Sequence, residues 1–233
     1  MDCNRYYDFR QLQARAYPLT CQSLYTGYMH IPESIRGIDL DGGHPALDFV
    51  NTVHSWTDAD PRDYWSSPVE LVAWHQHRGL IAPATADAFC RLAPAAARRL
   101  LGRARDARRR LHALFAGIAA TGRANRGALG WLEVALGAAN RFRHLEAAGD
   151  GVAWTVKPDA ARPGSLLAPV LFAAAELLTT ADFDRIKSCP PPDGCGWVFL
   201  DTSRNGRRVW CNMKACGNAA KVRRFRDRAS RST

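Results

Sequence analysis

Between residues 37 and 182 apolar positions recur mostly at helical spacing, and several prolines stand where a new segment opens. From Pro94 to about Ala120, Leu100, Leu101, Ala104, Leu111, Leu114, Phe115 and Ile118 repeat at three- and four-residue intervals, which predicts one long amphipathic helix. Ser67-Pro68-Val69-Glu70 is a capping box with proline at the first helical position, opening a helix to about His77. A shorter helix is expected after Pro83, and another from Arg126 to about Asn140. The run Leu166 to Leu178 predicts a buried helix; with Pro169 and Glu176 inside it, the run is too short to cross a bilayer. Thr179 or Thr180 is positioned to cap a short helix leading to Cys189. Two segments read as strands. Phe142 to Val156, turning at Gly149-Asp150-Gly151, has the pattern of a β-hairpin, and Ala46 to Val53, behind Gly42-Gly43, has strand composition. Residues 1–36 show no periodicity and read as a loosely held extension, with Met29 a candidate start. The expected fold class is α+β: a mostly helical body with a small antiparallel sheet over 37–182, a small module over 183–229, and a tail over 230–233.

With 47% hydrophobic and 23% charged residues in 233, the composition is that of an ordinary globular protein. The net charge of +10 changes the picture through its placement. From Arg185 to Thr233 there are 12 Lys/Arg against 3 Asp, whereas the rest of the chain holds 20 basic and 19 acidic residues. A basic segment beside a neutral body suggests a polyanionic partner. The arginines of the long helix (Arg98, Arg99, Arg103, Arg105, Arg108, Arg109 and Arg110) read instead as a solvated helix face.

Cys3, Cys21 and Cys90 are scattered, and Cys90 reads as a small core residue; Cys189, Cys195, Cys211 and Cys216 cluster as C-x5-C-x15-C-x4-C. The amino terminus is polar and lacks a secretory signal, so a cytoplasmic location is expected, where clustered thiols point to metal before disulfide. Four thiolates suit one structural Zn2+ in a closed tetrahedral site. Between the pairs, Trp197–Leu200 and Arg208–Cys211 alternate like two strands, with Asn205-Gly206 suited to a type I′ turn. Gly217-Asn218 then caps a helix to about Arg228, an order of loop, hairpin and helix like that of a treble-clef finger. Candidate nucleic-acid contacts are Arg204, Arg207 and Arg208 at the hairpin turn, and Asn218, Lys221, Arg223, Arg224, Arg226 and Arg228 on the helix.

No catalytic constellation stands out: there is no phosphate-cradling glycine loop and no nucleophile elbow, and His75 and His77 fall on different faces of one helix. An enzyme is not expected. Asp48, Asn51, Thr52 and His54 either line a small ligand pocket or satisfy neighbouring backbone groups. The partners expected are DNA, an effector of the larger domain and a second copy of the chain, with no membrane; RNA or a protein surface is the alternative for the basic module.

The segments Cys195-Gly-Trp-Val-Phe-Leu-Asp-Thr-Ser203 and Trp210-Cys211-x-Met213-x-x-Cys216-Gly-Asn218 resemble the CGNR zinc-finger family. Leu47-Asp48-Phe49-Val50-Asn51-Thr52 resembles the strand that opens the ABATE domain usually found before that finger. The resemblance implies a bacterial regulator of stress-induced transcription, with the finger on DNA, the larger domain sensing a ligand, and zinc on Cys189, Cys195, Cys211 and Cys216. Two departures stand out. The first cysteine gap is x5 with three prolines, where the family usually has x4, and Ala219 occupies the place of the signature arginine, leaving Lys221 or Arg223 to substitute for it.

Overall fold

The computed structural model describes residues 30–191 and 194–231; the readings made for 1–29, including Met29 as a start, lie outside them. The described elements run α1 (Glu33–Arg36), α2 (Pro45–Val50), α3 (Pro68–His77), α4 (Pro83–Cys90), α5 (Pro94–Thr121), α6 (Arg126–Ala139), β1 (Arg143–Ala148), β2 (Gly151–Val156), α7 (Ala168–Thr180), β3 (Ile186–Ser188), β4 (Val198–Leu200) and α8 (Asn218–Arg231). The fold is mostly helical with two small antiparallel sheets, β1–β2 and β3–β4.

The expected boundaries hold for α3 to α6 to within a residue or so. The capping box of α3 is complete, Ser67 and Glu70 each accepting the other's backbone N–H. β1 and β2 pair in register from Arg143↔Val156 to Ala148↔Gly151. Ala46 to Val53 is not a strand. Pro45–Val50 is a helix buried along its whole length, capped by His44, whose ring accepts the Ala46 N–H. An apolar run covered on every side carries no period to distinguish strand from helix; here Pro45 at the first helical position and the His44 cap are the deciding signals. The cap before Cys189 is Asp182, which accepts the Asp184 N–H, whereas the Thr179 and Thr180 hydroxyls donate back to carbonyls of α7. Cys90 is exposed, because Ala86 and Phe89 take the inner face of α4 and the next position turns outward.

α5 is the central strut. Its apolar stripe, Leu100 to Ile118, packs in one core with Phe49, Trp65, Trp74, Leu132 and Phe172. Arg108 departs from the solvated-face reading, being only 4% exposed. Its guanidinium grips Asp63 with two bonds (2.9 and 2.7 Å), donates to the Thr52 carbonyl, and lies over the Trp65 ring. Burial alone would raise the Asp63 carboxyl, but the Arg108 bonds and charge outweigh it and hold the group below its ordinary range. Pro163–Thr180 has the length and apolarity of a membrane span, yet 61% of it is buried against the body, α7 packing on α2 and α6.

Candidate metal centre and nucleic-acid surface

The first cysteine pair grows out of the β3–β4 ladder. Past Ser188, the Cys189 N–H donates to the Trp197 carbonyl (2.8 Å) and the Gly196 N–H to the Cys189 carbonyl (3.2 Å). The loop returns through Gly194, whose N–H closes on the Pro190 carbonyl at 2.7 Å. A Cβ on Gly194 would stand 2.6 Å from Cys189 Sγ and 2.8 Å from backbone, so only glycine lets the x5 loop close. Gly196 takes φ +71, the left-handed region, with Trp56 against it.

The second pair rests on a wide turn. The Asn212 side chain accepts the Lys214 and Ala215 N–H groups (2.8 and 3.2 Å), and the Gly217 N–H closes on the Asn212 carbonyl at 3.1 Å. Asn212, not Gly217-Asn218, therefore caps this end; the Asn218 amide donates to the Lys214 carbonyl instead. The expected hairpin is also different. β4 pairs with β3, and 208–211 is not a strand. No described non-glycine residue has positive φ, which excludes a type I′ turn at Asn205-Gly206. Asp201 organises the loop: its carboxylate accepts the Ser203 and Arg208 N–H groups (3.0 and 2.9 Å) and the Lys187 ammonium (2.8 Å). Burial opposes ionisation of Asp201, but these donors hold its carboxyl far below the ordinary range. With Arg185 also on the Asp201 and Ser203 carbonyls, the groups a second strand would need are occupied.

The four cysteine sulfurs lie within 4.8 Å of one another, Cys195–Cys211 at 3.5 Å and Cys211–Cys216 at 3.7 Å. A zinc ion with Zn–S bonds of about 2.3 Å in a tetrahedron sets its sulfurs roughly 3.8 Å apart. Disulfides need about 2.05 Å, and all four thiols are free. The electrostatics agree. The Cys195 and Cys211 thiols donate to the Cys189 sulfur and bring it down to about 2, and the same bonds push Cys195 and Cys211 far up. Four thiolates held this close repel one another, and a divalent cation among them offsets that repulsion. The donor set, spacing and closure fit one structural Zn2+.

Loops of the body hold the metal loop. Trp56 N–H donates to the Cys195 carbonyl (2.7 Å), and the Thr57 hydroxyl to the Gly194 carbonyl (3.2 Å). His112 of α5 stacks on Trp56, centroids 4.0 Å apart, and places Nε2 3.0 Å from the Gly196 carbonyl. Trp197 donates its indole N–H to the Val53 carbonyl (2.8 Å). Asp41 accepts from the Asn212 amide (2.7 Å), and its carbonyl from Arg208 (3.1 Å). Trp56, His112, Asp41 and Asp201 were not singled out by sequence, since their partners lie far away in the chain.

The residues read as a pocket or as backbone partners are dispersed along this joint. Buried Asp48 accepts from Gly42 N–H (2.9 Å) and Arg78 (2.8 Å); burial raises its pKa despite the arginine. Asn51 pairs both ways with Val198 of β4, Nδ2 to its carbonyl (2.8 Å) and Oδ1 from its N–H (3.1 Å). Thr52 donates to the Phe49 carbonyl, and His54 is exposed beside the Tyr64 hydroxyl.

The basic candidates divide. Arg208 is turned into the module: it lies over Phe199 (4.4 Å) and donates to the carbonyls of Asp41, Trp210 and Cys211. Arg204 and Arg207 are exposed on the loop, as is Lys214, which the sequence reading did not include. From Lys221 to Arg228 every residue of α8 is exposed, including Lys221, Arg223, Arg224, Arg226 and Arg228; Ala220 is its buried contact, and Asn218 and Ala219 stand exposed at its start. A cavity of about 720 Å³ beside Cys211 is lined by Arg207, Val209, Met213 and Lys214.

Residues 185–229 match the CGNR zinc finger, and 43–181 match the ABATE family, described as "Putative stress-induced transcription regulator". No curated protein matches the chain. With more than half its length covered by that family and the four-cysteine zinc site in the order the finger requires, the chain belongs to the ABATE family and carries a CGNR zinc finger.

Proposed function

We propose that this protein is a zinc-dependent, DNA-binding transcription regulator and not an enzyme. The observation carrying this reading is the distribution of charge around the metal. Arg204, Arg207, Lys214, Lys221, Arg224 and Arg226 are exposed on the module, while Asp201 is buried on Lys187. Outward-facing acid on α8 is confined to Asp227. A duplex backbone neutralised by such residues releases counterions, so log K falls by roughly 0.9 per phosphate contact per decade of salt. Zinc joins the loop that carries Arg204 and Arg207 to α8 through Cys211 and Cys216, giving one rigid surface.

A second reading, RNA or a protein partner, draws on Val222 and Phe225, which stand 50% and 70% exposed among the cations of α8. Titrating zinc-loaded protein with duplex genomic fragments and structured RNA at two salt concentrations, with and without chelator, separates the two. Zinc-requiring preference for particular duplexes supports the regulator; equal or tighter binding of RNA moves the second reading ahead.

A further inference from the structure

A groove on the opposite functional side of α5 has no assigned role. One face of that helix, Arg99, Gly102, Arg103, Asp106 and Ala107, forms one wall; Trp131 and Ala135 of α6 form another, and Leu167 and Leu171 close the floor. Its volume of about 510 Å³ lies within the usual range for small-molecule sites, roughly 300–1,000 Å³. The floor is apolar and built, since Leu167 and Leu171 are buried core residues, as is Ala107 in the wall beside them. One wall is the half-buried Trp131 indole, with the Arg110 guanidinium 5.6 Å from its centroid.

The charges are uneven. Asp106 is engaged by Arg110 (2.7 Å) and Arg109 (3.4 Å) on its own helix. Arg99 and Arg103, one turn apart at the rim, make no ion pair or hydrogen bond with a described residue. Arg99 and Arg103, both lining a groove with an apolar floor, supply the charge for a carboxylate joined to a flat apolar body, and the indole and leucines supply the surface for its ring. Gly102 leaves the helix wall open between the arginines, with nothing within 4 Å of where its Cβ would be.

We infer that the groove between α5, α6 and α7 binds a small aromatic monocarboxylate, with Arg99 and Arg103 on the carboxylate and Trp131, Leu167 and Leu171 on the ring. This inference stands independently of the DNA-binding reading. The groove shares its helix with His112, about 7.5 Å beyond Ala107 at 1.5 Å per residue, which meets the carbonyl of Gly196 in the zinc loop.

The test uses full-length zinc-loaded protein and 2-naphthoate, with uncharged 2-naphthamide as its control, in calorimetric titrations. Saturable one-to-one binding of the naphthoate, at least tenfold weaker for the amide, is expected. Arg99→Gln with Arg103→Gln lowers naphthoate affinity to the level of the amide, and both positions are exposed, so the fold by circular dichroism stays unchanged. Gly102→Leu fills the groove without altering charge and eliminates binding of both probes, at unchanged zinc content. The proposal is overturned by absence of saturable binding at millimolar naphthoate, by equal affinity for the two probes, or by naphthoate binding that survives Gly102→Leu.

Discussion

Asn51 joins the helical body to the finger, and its removal measures that joint. Its amide makes two buried bonds to the backbone of Val198, at 2.8 and 3.1 Å, and both residues are at most 1% exposed. Asn51→Ala leaves one carbonyl and one N–H of β4 in the core without partners. At roughly 1–3 kcal/mol for each unsatisfied buried group, the expected loss is about 4 kcal/mol. For a protein of this size about 1 kcal/mol moves the melting midpoint by roughly 2–4 °C, so a fall of roughly 8–16 °C is expected. Thermal unfolding by circular dichroism at saturating zinc reads it. Asn51→Asp should do no better: it keeps the acceptor for the Val198 N–H but sets a carboxylate against the Val198 carbonyl. A midpoint lowered by less than about 2 °C in Asn51→Ala would refute the reasoning, and would return Asn51 to the role of a solvated pocket residue.

Cys211→Ser is expected to lose zinc and, with it, hydrogen-exchange protection in 201–231, while α1 to α7 and the β3–β4 pairing stay protected; protection lost across the body would show that zinc supports more than the distal module. Lys221→Glu with Arg224→Glu should weaken duplex binding and reduce its salt slope by about 2, at an unchanged melting midpoint. Arg208→Ala should instead lower the midpoint and zinc retention, because that guanidinium holds the carbonyls around Cys211; a pure affinity loss would place it on the ligand-facing surface. His75 is fully buried, and burial brings its pKa down from 6.5 to about 4, so between those values the unfolded chain binds the extra proton and stability falls as pH falls. The loss amounts to about 3 kcal/mol; denaturant titrations of wild type against His75→Phe across that window should show the substitution flattening the dependence, and parallel curves would sink the assignment.

The long elements were legible because their periods were strong: the stripe of α5, the capping box of α3 and the turn of the β1–β2 hairpin each contain their own signal. The zinc ligands were equally plain, since thiolate chemistry is written in residue type and spacing. What could not be read was decided by partners remote in sequence. Ala46 to Val53 looks like a strand until its burial on all sides is known. The stretch 208–211 alternates like a strand, yet Asp201, Lys187 and Arg185 occupy the groups a second strand would have used. Arg108 and Arg208 look like surface cations by composition. Each is instead satisfied by a specific set of oxygens that only the folded chain assembles.

A zinc module of this size has too little apolar interior to order itself without metal, and that is the usual reason such modules depend on it. Here the dependence is divided. Ile186 and Val198 belong to the core of the helical body, and the metal loop is gripped by Trp56, Thr57 and His112. The family boundary between 181 and 185 therefore does not coincide with a gap in the packing. The first cysteine pair is positioned by the body, whereas the second pair and α8 reach it through the metal, the Asn212 turn and the bonds to Asp41. Such a division fixes the direction of the basic helix relative to the body instead of leaving it on a tether. His112 of α5 meets the Gly196 carbonyl in the loop that holds the first two zinc ligands, so the central strut is part of that loop's support. A metal on the four cysteines would tie the outer half to the body, whose loops set its direction.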